Sequence, residues 1–222
     1  MNARIKRLLR EDNGFTLSEM LVTMMLMTIV LFALYNIFDA SIRVFSFGND
    51  KVEAVENARL GLEKMERELR DAYPRDKVGG DATLFTTWTP TRVTFGNELI
   101  GDREIRCPSP PPNPPPRCEI ISYDVYKPGD SSTYALGRAN SSGGVRQPVV
   151  EYVGYTNRTD TGLSFEYFAR DGSRINPSSP GAYTEADIAK VRVELEVEID
   201  RRSLGRRTQT LTTDVALRNR DG

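Results

Sequence analysis

Hydrophobic and polar positions divide the chain into three stretches with different periods. Residues 20–38 are nineteen consecutive positions without a charged side chain. As α-helix that run is about 28 Å long, close to the ~30 Å hydrocarbon core of a bilayer. Beyond it, Val55, Ala58, Leu62, Met65, Leu69 and Ala72 recur at spacings of three and four. This spacing predicts one apolar stripe along a continued helix. Charged residues fill the other faces, among them Glu53, Glu56, Arg59, Lys64 and Glu68. Glu63 with Arg67 and Glu66 with Arg70 stand i,i+4 in the favourable order, each pair worth about 0.2–0.5 kcal/mol. Pro74 disfavours helical geometry in the residue before it, so the helix is expected to end near Tyr73. No proline lies between Phe15 and Tyr73, so no proline bend is expected, although Gly48 should loosen the helix locally.

After Pro74 the period falls to two. Short alternating runs separated by Gly, Pro, Asn and Asp predict strands near 91–95, 119–126, 149–155, 163–168 and 191–199. In the last run Val191, Val193, Leu195, Val197 and Ile199 share one face, and Arg192, Glu194, Glu196 and Glu198 the other. One buried and one wet face is the mark of an antiparallel sheet covered by a helix. Residues 208–217 read as the return strand across a turn at 201–207. The expected fold class is α+β: a long N-terminal helix packed on a C-terminal antiparallel sheet.

Composition narrows the chemistry. The chain has 222 residues, no histidine, two cysteines and a formal net charge of −1. Without histidine, Ser-His-Asp and Cys-His catalysis and every histidine-containing metal site are excluded. Two cysteines are too few for a cysteine-based zinc site and suit one disulfide. The charge balance gives no whole-chain argument for nucleic acid or an anionic membrane surface. No cofactor is expected.

The N-terminus carries the most specific signal. Arg4, Lys6, Arg7 and Arg10 precede the apolar run, and positive charge there holds that end in the cytoplasm. A secretory signal peptide has a shorter apolar region, about 7–15 residues, followed by a small-residue cleavage site that is missing here. A plain single-pass anchor fits length and charge but leaves Asn13-Gly14-Phe15-Thr16-Leu17-Ser18-Glu19 unexplained. Glu19 opens an otherwise unbroken apolar run, where an ionisable group is costly and marks a functional candidate.

Gly14-Phe15-Thr16-Leu17-Ser18-Glu19 resembles the prepilin peptidase recognition motif of type IV pilins and type II secretion pseudopilins. The resemblance implies cleavage between Gly14 and Phe15, N-methylation of the new Phe15 amine, and pairing of Glu19 with the Phe15 amine of a neighbouring subunit. Glycine at the cut lets the backbone lie extended and close to a protease, and a carboxylate in a low-dielectric bundle needs an opposite charge nearby. The implied organisation is a leader over 1–14, a transmembrane helix over 15–40, its amphipathic continuation over 41–73, and an exported β-rich domain over 74–222. Implied partners are the prepilin peptidase/methyltransferase, other pilin or pseudopilin subunits, an inner-membrane assembly platform and the lipid bilayer. The implied location is the inner (cytoplasmic) membrane, N-terminus cytoplasmic, and then a periplasmic or extracellular fibre. Phe165-Glu166-Tyr167-Phe168, Arg170-Asp171-Gly172 and Thr213-Asp214-Val215-Ala216-Leu217-Arg218-Asn219 look like the minor pseudopilin J family and related minor type IV pilins.

Three features lie outside that frame. Cys107 and Cys118 flank a proline-rich segment. In an exported domain they are expected to bridge and close a stiff loop, removing about 3 kcal/mol of unfolded-state entropy. Arg201, Arg202, Arg206 and Arg207 surround the 201–207 turn. They read as a solvated hairpin turn or as a phosphate contact; no aromatic residue interleaves with them, so nucleic acid is not expected as a partner. Asp171-Gly172-Ser173 reads as turn chemistry, with no defined calcium-loop spacing. The leading function is a structural subunit of a type IV pilus or type II secretion pseudopilus. A tethered adhesin or DNA-binding fibre subunit is the alternative. A tethered enzyme has no motif in its favour and is not expected.

Overall fold

The computed structural model describes residues 14–72, 84–97, 119–131, 133–140, 145–154, 162–199 and 207–217. They form one α-helix, α1 (Leu17–Arg70), a single 3-10 turn (Glu185–Asp187) and nine strands. The chain divides into two compact units between Gly48 and Asn49, and the helical hydrogen-bonding pattern runs through Gly48.

In the first unit the helix residues that follow Thr16 are almost all exposed, Leu21, Met25, Phe32 and Phe38 among them. Its polar side chains bond back to the helix itself. The Thr23 and Thr28 hydroxyls donate to the Met20 and Met24 carbonyls, the Asn36 amide to Phe32 and the Ser41 hydroxyl to Ile37, all at 2.8–2.9 Å. Such back-bonding lets short polar side chains sit in an apolar medium without an orphaned donor. Asp39 and Arg43 pair at i,i+4.

In the second unit the strands are β1 (Phe85–Trp88), β2 (Arg92–Gly96), β3 (Ile120–Tyr126), β4 (Tyr134–Asn140), β5 (Gln147–Val153), β6 (Leu163–Ala169), β7 (Arg174–Ile175), β8 (Ile188–Glu198) and β9 (Thr208–Ala216). All pairings are antiparallel, in the order β1-β2-β3-β4-β5-β8-β6-β7, with β9 on the other side of β8. β5 and β6 share one edge of β8. They meet at Glu196, whose N–H donates to the Gly162 carbonyl and whose carbonyl accepts from Gly154 N–H, both at 2.7 Å. Gly162 has φ +65°, and a Cβ there would lie 1.8 Å from the Gly154 oxygen, so only glycine fits the fork. Tyr152 (φ 59°) is the extra residue where the β4–β5 register slips.

The sheet curls until β6 reaches the β1–β2 turn: Phe165 N–H donates to the Pro90 carbonyl (2.8 Å) and the Tyr167 hydroxyl to the Thr89 carbonyl (2.9 Å). Inside the curl, Phe85 meets Phe95 and Tyr167 edge-on, with ring centroids 6.4 and 6.3 Å apart, and Phe95 stacks on Tyr123. Burial pushes the Tyr167 hydroxyl's pKa well up. Onto this concave side α1 presents Ala54, Ala58, Gly61, Leu62, Met65 and Leu69, all buried. The stripe expected from spacing is therefore the packed face, broadened by Ala54 and Gly61 and with Val55 only half-buried.

Glu68 fastens the end of the helix. Its carboxylate accepts the Tyr123 hydroxyl (2.6 Å) and Arg138 Nε (2.8 and 3.0 Å), while Asn97 Nδ2 donates to the Glu68 carbonyl (3.1 Å). Burial first, then the Glu68 charge, hold the Tyr123 hydroxyl well above its ordinary pKa. The helix ends at Arg70, earlier than expected, because Ala72 already pairs with Asn97 as a β-bridge. Of the two helix pairs expected, Glu66–Arg70 forms and Glu63–Arg67 does not, both latter side chains being exposed.

Strands lie within a few residues of the expected runs, and 191–199 carries the alternation it was read to carry. β1, β4 and β7 were not expected. β4 (YALGRAN) lacks a period-two pattern, and β7 has two residues.

Candidate processing and assembly site

The site is built where the helix begins. Thr16 is the residue before α1, and Glu19 is the third residue inside it. The Thr16 N–H and hydroxyl both donate to Glu19 Oε2 at 2.9 Å, and the Glu19 N–H donates to the Thr16 hydroxyl at 3.3 Å. This is a capping box, which satisfies donors that the first turn of a helix otherwise leaves unpaired. The carboxylate also sits at the positive end of the helix dipole. Glu19 thus has a local use that a reading of charge and apolarity alone misses; the Thr-x-x-Glu spacing is the signal that would have found it.

Phe15 is 77% exposed and Leu17 80%. A Cβ built on Gly14 meets no atom within 4 Å, so packing does not demand glycine there. Gly14 and Phe15 therefore lie exposed just ahead of the helix, and Glu19 lies exposed in its first turn.

The apolar part of α1 is the one helix among the described residues long and apolar enough to cross a membrane. Residues 9–35 match the prokaryotic N-terminal methylation motif. The chain carries a type IV pilin-like membrane signal at its N-terminus. The motif takes in Arg10, Gly14, the Thr16–Glu19 cap and most of the apolar run. It supports anchoring in the membrane through the N-terminus and a pilin-like, structural role. No curated protein matches the chain with significance.

Cys107, Cys118, Arg201, Arg202 and Arg206 lie outside the described residues. Arg207 is exposed, and its carbonyl accepts the Ile199 N–H at 2.8 Å, closing the β8–β9 hairpin where the turn was expected. Asp171 accepts the Ser173 N–H (2.8 Å) and the Tyr183 hydroxyl (3.3 Å), an Asx-turn. Among the described residues no group of three or more His, Cys, Asp or Glu is placed to hold a metal.

Proposed function

We propose that the protein is a minor subunit of a type IV pilus or type II secretion pseudopilus, cut by prepilin peptidase after Gly14. The observation that carries the reading is the methylation motif ending in a capped apolar helix. Cleavage leaves Phe15 as a free amine, which the same enzyme methylates, one residue before the Thr16–Glu19 box. The expected outcome is a mature exported chain whose mass begins at a methylated Phe15. A mature product starting anywhere else would falsify the processing step.

Assembly proceeds by lateral packing of the apolar helices, with Glu19 meeting the Phe15 amine of a neighbour. The capping box supports a specific form of this reading, because Glu19 must share its carboxylate between its own Thr16 and that amine. Glu19→Ala should leave insertion and cleavage intact but abolish incorporation into the fibre. Thr16→Ala removes only the local cap, worth about 1 kcal/mol, and should leave incorporation largely intact. Equal loss in both variants would make capping, not intersubunit pairing, the role of Glu19. The Phe165–Phe168 and Thr213–Asn219 motifs support placement beside the minor pseudopilin J family and its pilin relatives.

A further inference from the structure

We infer that the outer edge of β9 is a docking site for an extended, basic segment of another polypeptide, taken up as an added strand. The phase of the β8–β9 ladder is fixed at both ends. Ile199 N–H donates to the Arg207 carbonyl (2.8 Å), and Leu217 N–H donates to the Ala189 carbonyl (3.0 Å). Odd-numbered residues of β9 therefore turn both backbone groups toward β8. Thr208, Thr210, Thr212, Asp214 and Ala216 turn theirs away, and among the described residues no strand but β8 pairs with β9.

This edge lacks the devices that blunt one. Its nine pairs with β8 run without a register shift, and it contains no lysine and no proline. The other ends of the sheet are guarded. β1 has four residues and a register shift, and β7 has two. A nine-residue edge in unbroken register, rich in β-branched residues, offers amide and carbonyl groups every ~6.8 Å to an incoming strand.

Charge selects the occupant. On the solvent face Glu194, Glu196 and Glu198 stand cross-strand from Thr212, Thr210 and Thr208. Among the described residues Glu194 and Glu196 form no ion pair; Glu194 accepts the Ser164 hydroxyl at 3.5 Å and lies near Arg192. Among the described residues, the cations Lys190 and Arg192 on this face are already engaged, since both pair with Asp214 and flank the Phe168 ring. A strand laid beside β9 with lysine or arginine at every second position would extend them over the short threonine row toward those carboxylates. The inference does not depend on the fibre reading.

The test uses the full chain in detergent micelles and a labelled nine-residue peptide of alternating lysine and threonine, followed by fluorescence anisotropy. Saturable binding is expected, at least tenfold weaker for the matching glutamate–threonine peptide. Methylating every second backbone nitrogen of the lysine peptide, in either register, should weaken it at least tenfold in one of the two. Thr210→Pro removes an outward N–H while sparing the β8 ladder, and it should weaken binding similarly. The Glu194→Gln/Glu196→Gln double variant should do the same for the lysine peptide alone. Should Thr210→Pro not fold, the methylated peptides and the glutamine variant still decide. Absent binding, equal binding of the acidic peptide, or indifference to methylation in both registers would each overturn the inference. Self-association of the chain that Thr210→Pro abolishes would also overturn it, placing a second copy on the edge.

Discussion

Glu68 shows how one carboxylate joins two elements. Its side chain and that of Arg138 are 17% and 12% exposed, so removing either strands the other where water compensates poorly. Glu68→Gln should destabilise the domain by about 3 kcal/mol in denaturant unfolding, and a cycle with Arg138→Met should show coupling above about 1 kcal/mol. Asp214 is the surface counterpart. Hydrogen bonds from Arg192 and then Lys190 lower its pKa from 3.8 to about 2. A depressed carboxylate stabilises the fold above its unfolded pKa and loses that contribution as pH falls through the folded value. The wild-type advantage over Asp214→Asn should thus be full above about pH 5 and gone only below about pH 2. Solvent exposure should keep it below about 1 kcal/mol. Asp124 follows the same sign: burial opposes its ionisation, but Arg146 and Arg92 hold its pKa below the ordinary value.

At the scale of elements, Gly61 sets how closely α1 approaches the sheet. A Cβ there would lie 2.1 Å from Val150 Cγ2, so the valine or the helix must move. Gly61→Ala should cost about 1–3 kcal/mol of stability, despite a helix propensity gain of up to about 1 kcal/mol. Gly61→Ala/Val150→Ala should recover part of that loss, read by thermal unfolding. This contact was not legible in the sequence, because a helix period shows which face is buried and not what it meets. The apolar stripe and β8 were legible for the opposite reason: their periods of 3.6 and 2 record burial directly. β4 was missed because Gly137 lies against the Tyr126 ring and Arg138 and Asn140 answer to the Glu68 network, so alternation is lost. The Thr-x-x-Glu spacing of the capping box stands in the sequence at Thr16–Glu19, where the apolar run beside it makes the charge look costly.

On the whole molecule, the α+β layout was readable because each half announces itself by a different period. Strand order was not, since β8 pairs with three strands and its neighbours depend on the fork at Gly154 and Gly162. The N-terminal site was legible as residue types. The hydrogen bonds that join Glu19 to Thr16 came only with the placement of both residues.

The buried face of α1 begins at Ala54, beyond the division at Gly48. The large exposed apolar side chains from Phe15 to Phe45 all precede that division. Solubility and folding are therefore written in separate parts of one helix. A fragment starting at Asn49 should lose the need for detergent while keeping every buried helix residue. Size-exclusion chromatography and circular dichroism of that fragment would show a soluble species with a cooperative melt. It would turn a membrane protein into a domain whose energetics can be measured in plain buffer.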